Sequence, residues 1–380
     1  MKVINTERIP IKLWLNDIED EALAQARNLA NLSFAYKWIA IMPDSHSGYG
    51  MPIGGVMATQ GVIIPNAVGV DIGCGMNAIK TSLTEIDTET IKIIMGKIRE
   101  VVPLGFNHQQ ENQAWDGFDH APDIQIIQQE LNSARKQLGT LGGGNHFIEI
   151  QRGNDGHVWI MLHSGSRNFG LKTAGVYHKK AQELCERWNS ALPDKDLAFL
   201  PMEERSGKDY YEAMNYCLDF AFANRALMMH RVMDIFQTET GAEEKSEINI
   251  HHNYAAFEHH YGTNVIVHRK GATKATEDTI GIIPGSMGTS SYIVRGLGNP
   301  ESFMSCSHGA GRAMGRKEAK NKLNLEEEQQ KMAGIVHGLR TTQELDEAPG
   351  AYKNIDIVME NQKDLVEILV KLTPLGVIKG

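Results

Sequence analysis

Glycine occurs in blocks along this chain, and the blocks carry histidine, asparagine, serine or cysteine at their ends. Examples are Asp71-Ile72-Gly73-Cys74-Gly75, Gly142-Gly143-Gly144-Asn145-His146 and Ser307-His308-Gly309-Ala310-Gly311. Such runs read as turns, because glycine takes positive φ and lets backbone approach a ligand. The 37 glycines in 380 residues exceed the usual share of about 7%. Several of the 15 histidines lie beside them, and imidazole binds metals and transfers protons near neutrality. The co-clustering predicts a site assembled from loops.

The scaffold for those loops reads as mixed. Ile91, Ile94, Met95 and Ile98 recur at helical spacing, with Asp87 or Thr88 as cap. Further helices are expected over 123–138, 174–188 and about 208–236. Short β-type runs fall at 38–42, 62–64, 158–162, 265–268, 280–283 and 292–294. No regular βαβ period links them, which favours an α+β fold over a doubly wound one. The polar stretches 106–122 and 193–209 read as flexible connections, but neither marks a boundary, so one domain over 1–380 is expected. The four cysteines form no C-x-x-C pair, and no run of about 18 apolar residues occurs. Those features are the expectation for a soluble, reduced, cytoplasmic protein.

Six clusters could carry chemistry. In the first, Asp71 and Cys74 stand three apart between glycines, and a thiolate can bridge two metal ions while a carboxylate completes the harder one. Cys74 alone reads more readily as a buried small hydrophobe. The second leads Gly142–Gly144 into Asn145, His146 and Glu149. The third, His163-Ser164-Gly165-Ser166-Arg167, follows a strand; its G-x-x-x-x-G-L-K-T reading breaks phosphate-loop register at Leu171. The fourth is His251-His252-Asn253; adjacent side chains on extended backbone point oppositely, so one histidine at most serves a given metal. His259-His260 reads as surface or supporting. The fifth, Pro284-Gly285-Ser286-Met287-Gly288 through Ser291, offers amides and hydroxyls to phosphate oxygens. The sixth places His308 between small residues, open as a nucleophile should be. Segment 269–322 holds nine Lys/Arg against four Asp/Glu, net +5 on a chain of net charge −9, as suits a polyanion reaching one zone of an acidic protein. A solvated face of a helix at 316–322 explains part of it equally well.

Together the runs 42–55 (MPDSHSGYGMPIGG), 67–78 (AVGVDIGCGMNA), LGTLGGGNHFIE, HSGSR, HHN, IIPGSMGTSSYIVRG and SHGAGR resemble the RtcB family of RNA-splicing and RNA-repair ligases. They occur in family order over essentially the whole chain. The resemblance implies a single α+β domain of packed β-sheets with surrounding helices around a metal-bearing cleft. It implies joining of an RNA 3′-phosphate or 2′,3′-cyclic phosphate to a 5′-hydroxyl, with GTP and two Mn²⁺. By the same resemblance, Asp71, Cys74 and His146 hold one Mn²⁺, and Cys74, His163 and His252 the other. His308 becomes guanylylated. Asn145, Glu149, Asn253, Pro284, Gly285, Ser286, Met287, Ser291, His308, Gly309, Ala310, Gly311, Tyr352 and Lys379 take the nucleotide. Arg167, Arg269, Lys270, Arg295 and Arg312 are expected to meet RNA phosphates.

Physical chemistry is compatible with that assignment. A neutral imidazole is nucleophilic and leaves readily once protonated, and the Lys-x-Asp-Gly motif of lysine-dependent nucleotidyl ligases is absent. The donor set alone does not exclude zinc, so manganese follows from the resemblance only. Two other readings stand beside the ligase: a metal-dependent cyclic phosphodiesterase that uses no nucleotide, and a non-catalytic RNA- or ribosome-binding factor. Covalent GMP discriminates the first, and RNA binding that survives metal removal the second.

Overall fold

Residues 1–380 are all described by the computed structural model, and two β-sheets carry its architecture. The six-stranded sheet runs Lys2–Ile4, Ile11–Leu13, Ala35–His46, Ile53–Thr59, Thr263–Lys270, Asn253–His260. Its one parallel pair joins Ile11–Leu13 to Ala35–His46. The seven-stranded sheet is antiparallel throughout, in the order Glu244–His251, Gly75–Thr81, Val158–Ser164, Phe147–Gly153, Val366–Lys379, Ser291–Gly296, Ile280–Ile283. The expected α+β fold is present, with helices packed around the sheets.

Antiparallel order explains how distant clusters meet. One end of the seven-stranded sheet collects the finish of Glu244–His251, the start of Gly75–Thr81, the finish of Val158–Ser164, the start of Phe147–Gly153 and the finish of Val366–Lys379. The register makes this explicit: Gly75 lies opposite both His251 and Ser164, and Phe147 lies opposite both His163 and Lys379. Cys74, His146, His163, His252 and Lys379 are therefore brought to one edge by strand pairing alone. His252 is also the single residue between the edge strand of one sheet and the edge strand of the other.

The 36-residue helix Arg205–Thr240 is buried along much of its length, which is why it is apolar on more than one face. Phe220 and Cys217 belong to one core cluster, and Met228, Val232 and Phe236 to another beneath the seven-stranded sheet. The expected helix at 174–188 begins earlier, at Arg167, since the His163–Ser166 turn runs straight into it. The helix Asp20–Ala30 and the strands Phe147–Gly153, Glu244–His251 and Val366–Lys379 were not expected. The connections taken as flexible contain structure: Phe118 is buried in a 3₁₀ turn, and Leu200–Pro201 pairs with Val62–Ile63. No helix is long and apolar enough to cross a membrane.

Candidate metal centre

Four side chains delivered to the sheet edge converge. The Cys74 Sγ lies 3.1 Å from His163 Nε2 and 3.6 Å from His146 Nε2. His163 Nε2 is 3.3 Å from His252 Nε2, and His146 Nε2 is 3.2 Å from Asp71 Oδ2. Two groups result, Cys74–His163–His252 and Asp71–Cys74–His146, each with its ligand atoms within 4.8 Å of one another. Cys74 belongs to both.

The surroundings fit a metal. His146 Nδ1 donates to the Leu141 carbonyl at 2.9 Å, and His163 Nδ1 to that of Asn145 at 3.1 Å. Those carbonyls fix the proton on Nδ1, so each Nε2 turns a lone pair inward. Burial, then neighbouring imidazoles, hold His163 and His252 well below the usual histidine range, in the neutral form that ligates. Burial, with Asp71 beside it, pushes the Cys74 thiol well up; a divalent cation reverses that balance. Asp71 Oδ1 is buried without a hydrogen-bond partner. Lone pairs and a carboxylate facing one another across about 3 Å are the arrangement a cation satisfies.

The long helix braces this centre from below. Asn224 and Arg225 sit side by side on it, both fully buried. Arg225 donates to the carbonyls of Gly73 (2.8 Å) and Ser164 (3.1 Å) and to Asn249 Oδ1 (2.7 Å). Asn224 accepts from the amides of Gly139 and Thr140 and donates to Gly165 O. The loops bearing Cys74, His146 and His163 are thus tied to one rigid element. His251 faces away from the cluster, toward Arg225, as opposed side chains on extended backbone require.

His308 arrives from a separate two-stranded ladder, Ala272–Lys274 with Ser305–Ser307. Because the Ala272 amide bonds to the His252 carbonyl at 3.1 Å, the His308 and His252 rings lie 4.7 Å apart between centroids. Gly311, at φ +74°, lets the His308–Arg312 turn pass against the Asp44 backbone, where a Cβ would collide with the carbonyl oxygen. One cleft is lined by Asp71, Cys74, His163, His252 and His308 together with Asn145, Glu149, Asn253, Pro284–Met287, Gly309–Gly311, Tyr352 and Lys379. His146 opens instead to an adjoining groove with Arg167. Ser291 lies behind the wall, its Oγ accepting from Gly285 N at 3.1 Å.

The family model described as tRNA-splicing ligase RtcB matches residues 25–119 and 110–380. The chain belongs to the RtcB family. It is 41% identical over 406 aligned residues to an RNA-splicing ligase RtcB of Escherichia coli strain K12, covering 100% of this chain and 99% of that protein. It is 32% identical to the tRNA-splicing ligases RtcB of Pyrobaculum aerophilum and Thermococcus kodakarensis, covering 98% of this chain and 95% of each relative.

Sequence reasoning overlooked Arg316 and Glu347, which line this RtcB cleft, and Asp44, which is buried against His308. Asp44 stood in the MPDSHSGYG run, where a carboxylate between Pro43 and Ser45 was the available signal; Glu347 lies in an ordinary acidic stretch and offered none. Three basic residues are placed otherwise than expected. Arg269 is fully buried, paired with Glu258 at 2.5 and 3.1 Å, and cannot reach RNA. Arg295 is exposed on the strand Ser291–Gly296, one in from the edge of the seven-stranded sheet, and lies 3.5 Å from Glu367. Lys270 is buried too, with its ammonium on the Tyr49 carbonyl at 2.7 Å, whereas Arg312 lines the cleft and Arg167 its adjoining groove. His260 is not at the surface but buried against Glu258 at 2.8 Å.

Proposed function

We propose that the chain seals RNA, joining a 3′-phosphate or 2′,3′-cyclic phosphate end to a 5′-hydroxyl end with GTP as co-substrate, in RNA repair or tRNA splicing. Residues 1–380 act as one domain in this reading. Asp71, Cys74 and His146 would hold one Mn²⁺, and Cys74, His163 and His252 a second. Bound there, divalent ions would supply charge neutralisation for phosphate and a water of lowered pKa for opening a cyclic end.

The observation that carries the reading is the placement of His308. It lies at the metal-ligand cluster, in the same cleft, with Nδ1 tethered to Asp44 at 2.7 Å, which leaves Nε2 as the free nitrogen. His308 Nε2 attacks the α-phosphorus of GTP; the N–P bond forms as the bond to the pyrophosphate oxygen breaks, and pyrophosphate leaves. Asp44 keeps the proton on Nδ1 and stabilises the positive ring. An oxygen of the RNA 3′-phosphate then displaces the imidazole, giving an RNA–GMP anhydride. The 5′-hydroxyl oxygen attacks the RNA phosphorus, GMP departs with the anhydride oxygen, and the hydroxyl proton passes to solvent.

For the nucleotide, Glu149 and Lys379 both line the cleft, and Glu149 is buried with Gln151 donating to it at 2.6 Å. A carboxylate and an ammonium suit the N–H donors and the carbonyl of guanine. The Pro284–Met287 turn, Asn145, Asn253, Ser291, Gly309–Gly311 and Tyr352 complete the binding surface in this reading. Protein incubated with labelled GTP and Mn²⁺ should form an acid-labile adduct that His308→Ala lacks, and should seal RNA of the stated ends. An adduct persisting in His308→Ala, or sealing without GTP, would overturn the assignment.

A further inference from the structure

One acidic side chain in the cleft has partners on two sides. Glu347 ends the 3₁₀ helix Thr342–Glu347, and its side chain is 7% exposed. Its Oε1 faces the arginines, accepting from Arg316 and lying 3.3 Å from Arg312 Nη1. Its Oε2 faces the other way, accepting from the Tyr352 hydroxyl and lying 3.2 Å from Lys379 Nζ. Burial alone would raise this carboxyl, but Lys379, Arg316, Tyr352 and Arg312 outweigh it and hold it at about 2. The carboxylate is therefore charged at any physiological pH.

The partners on the two sides differ in what they can reach. Lys379 and Tyr352 border the cleft that contains Glu149. Arg316 lines that cleft, the groove with Asp71 and Arg167, and a second groove with His46 and Tyr49. Arg312, Arg316 and Lys379 gather around the Glu347 anion, and Asp346 adds a second carboxylate on the arginine side, with Oδ2 3.1 Å from Arg316 Nη1. Without the anion, like charges at this spacing would push the long side chains apart into alternative rotamers.

We propose that Glu347 is a positioning residue that orients two binding surfaces with one carboxylate: Lys379 and Tyr352 for the nucleotide through Oε2, and Arg312 and Arg316 for an RNA phosphate end through Oε1. The inference rests on the ligase reading and assigns it a shared support. Removing the charge affects both ligands, whereas removing either set of partners affects one.

The test uses the full chain and three measurements: the dissociation constant of a non-hydrolysable GTP analogue, that of a fluorescent RNA with a 3′-phosphate, and the KM and kcat of GMP–protein formation. Glu347→Gln should weaken both ligands by about 10- to 100-fold, the usual cost of losing an orienting partner, and raise KM for GTP while kcat stays within about threefold. Lys379→Ala should weaken the nucleotide alone, and Arg316→Ala the RNA alone. Glu347→Asp, which keeps the charge, should recover part of both affinities. Unchanged or tighter binding of either ligand in Glu347→Gln overturns the proposal. So does an equal loss in the Asp and Gln variants with lowered melting temperature in both, which marks a merely structural role. Absence of adduct in the unsubstituted protein counts against the ligase reading, while the two dissociation constants still decide the role of Glu347.

Discussion

The Oδ2 of Asp44 lies 2.7 Å from His308 Nδ1, and the same oxygen accepts the backbone amides of His308 (3.1 Å) and Gly309 (3.2 Å). Asp44 is fully buried, so one charged oxygen sets both the tautomer of the ring and the path of the turn that carries it. Residues 264 positions apart act as one unit.

Asp44→Asn should separate those duties. The amide can still accept a backbone N–H but supplies no charge against a positive ring. GMP–protein formation at saturating GTP is expected to slow by about 10²-fold or more, with nucleotide affinity little changed. Single-turnover labelling beside a binding titration checks this; an unaltered rate would refute the positioning of His308 by Asp44.

Metal content should follow the sharing of Cys74. Chelation should abolish adduct formation, and Mn²⁺ should restore it. Because Cys74 stands in both ligand groups, Cys74→Ala should lose both metals, whereas Asp71→Ala should lose one. Metal analysis of the purified variants decides, and a Cys74→Ala protein with full content would rule out a bridging thiolate.

Glu149 predicts a pH dependence. Burial pushes its carboxyl up to about 8, against the pull of Lys379 and Gln151. If guanine N–H groups need the ionised form, GTP affinity should rise as pH climbs toward 8, by up to about tenfold per unit, and level off above it. The stability effect has the opposite sign. The folded protein keeps a proton that the unfolded chain releases, so stability falls from about pH 5 to about pH 8 relative to Glu149→Gln. Calorimetric titration and thermal melts across that range test both, and a slope retained in Glu149→Gln would remove Glu149 as its source.

Arg269→Ala should cost stability rather than RNA affinity. It leaves Glu258 buried and stripped of its bidentate partner, a loss of about 3–5 kcal/mol. It also removes a hydrogen bond of 2.8 Å to Ser305 Oγ, in the strand leading to His308. Denaturant unfolding measures the loss; a change below about 1 kcal/mol would show that the buried pair contributes little.

Helix Thr88–Val101 was legible because its apolar spacing is local, and Asp87 caps it by accepting from Glu89 and Thr90 as the sequence suggests. The strand Phe147–Gly153 was not, since both of its faces are buried and period-two alternation disappears; Val366–Lys379 was not, since its exposed positions include Ile368 and Leu369 and blur the alternation. The basic residues show the same limit. Charge at 269 and 295 is visible in the sequence, but whether a guanidinium faces a ligand or an internal carboxylate depends on what packs against it.

Residue identity by itself determined the chemistry available to this protein: thiol, imidazole and carboxylate beside glycine, at spacings that a loop can present. Those are properties of side chains and their immediate neighbours, which a linear sequence states directly. Only the tertiary structure decided that Cys74, His146, His163 and His252 share one sheet edge, that Asp44 sets the tautomer of His308, and that Glu347 gathers Arg312, Arg316, Tyr352 and Lys379. These are distances through space, created by antiparallel pairing and by burial, and no local pattern encodes them.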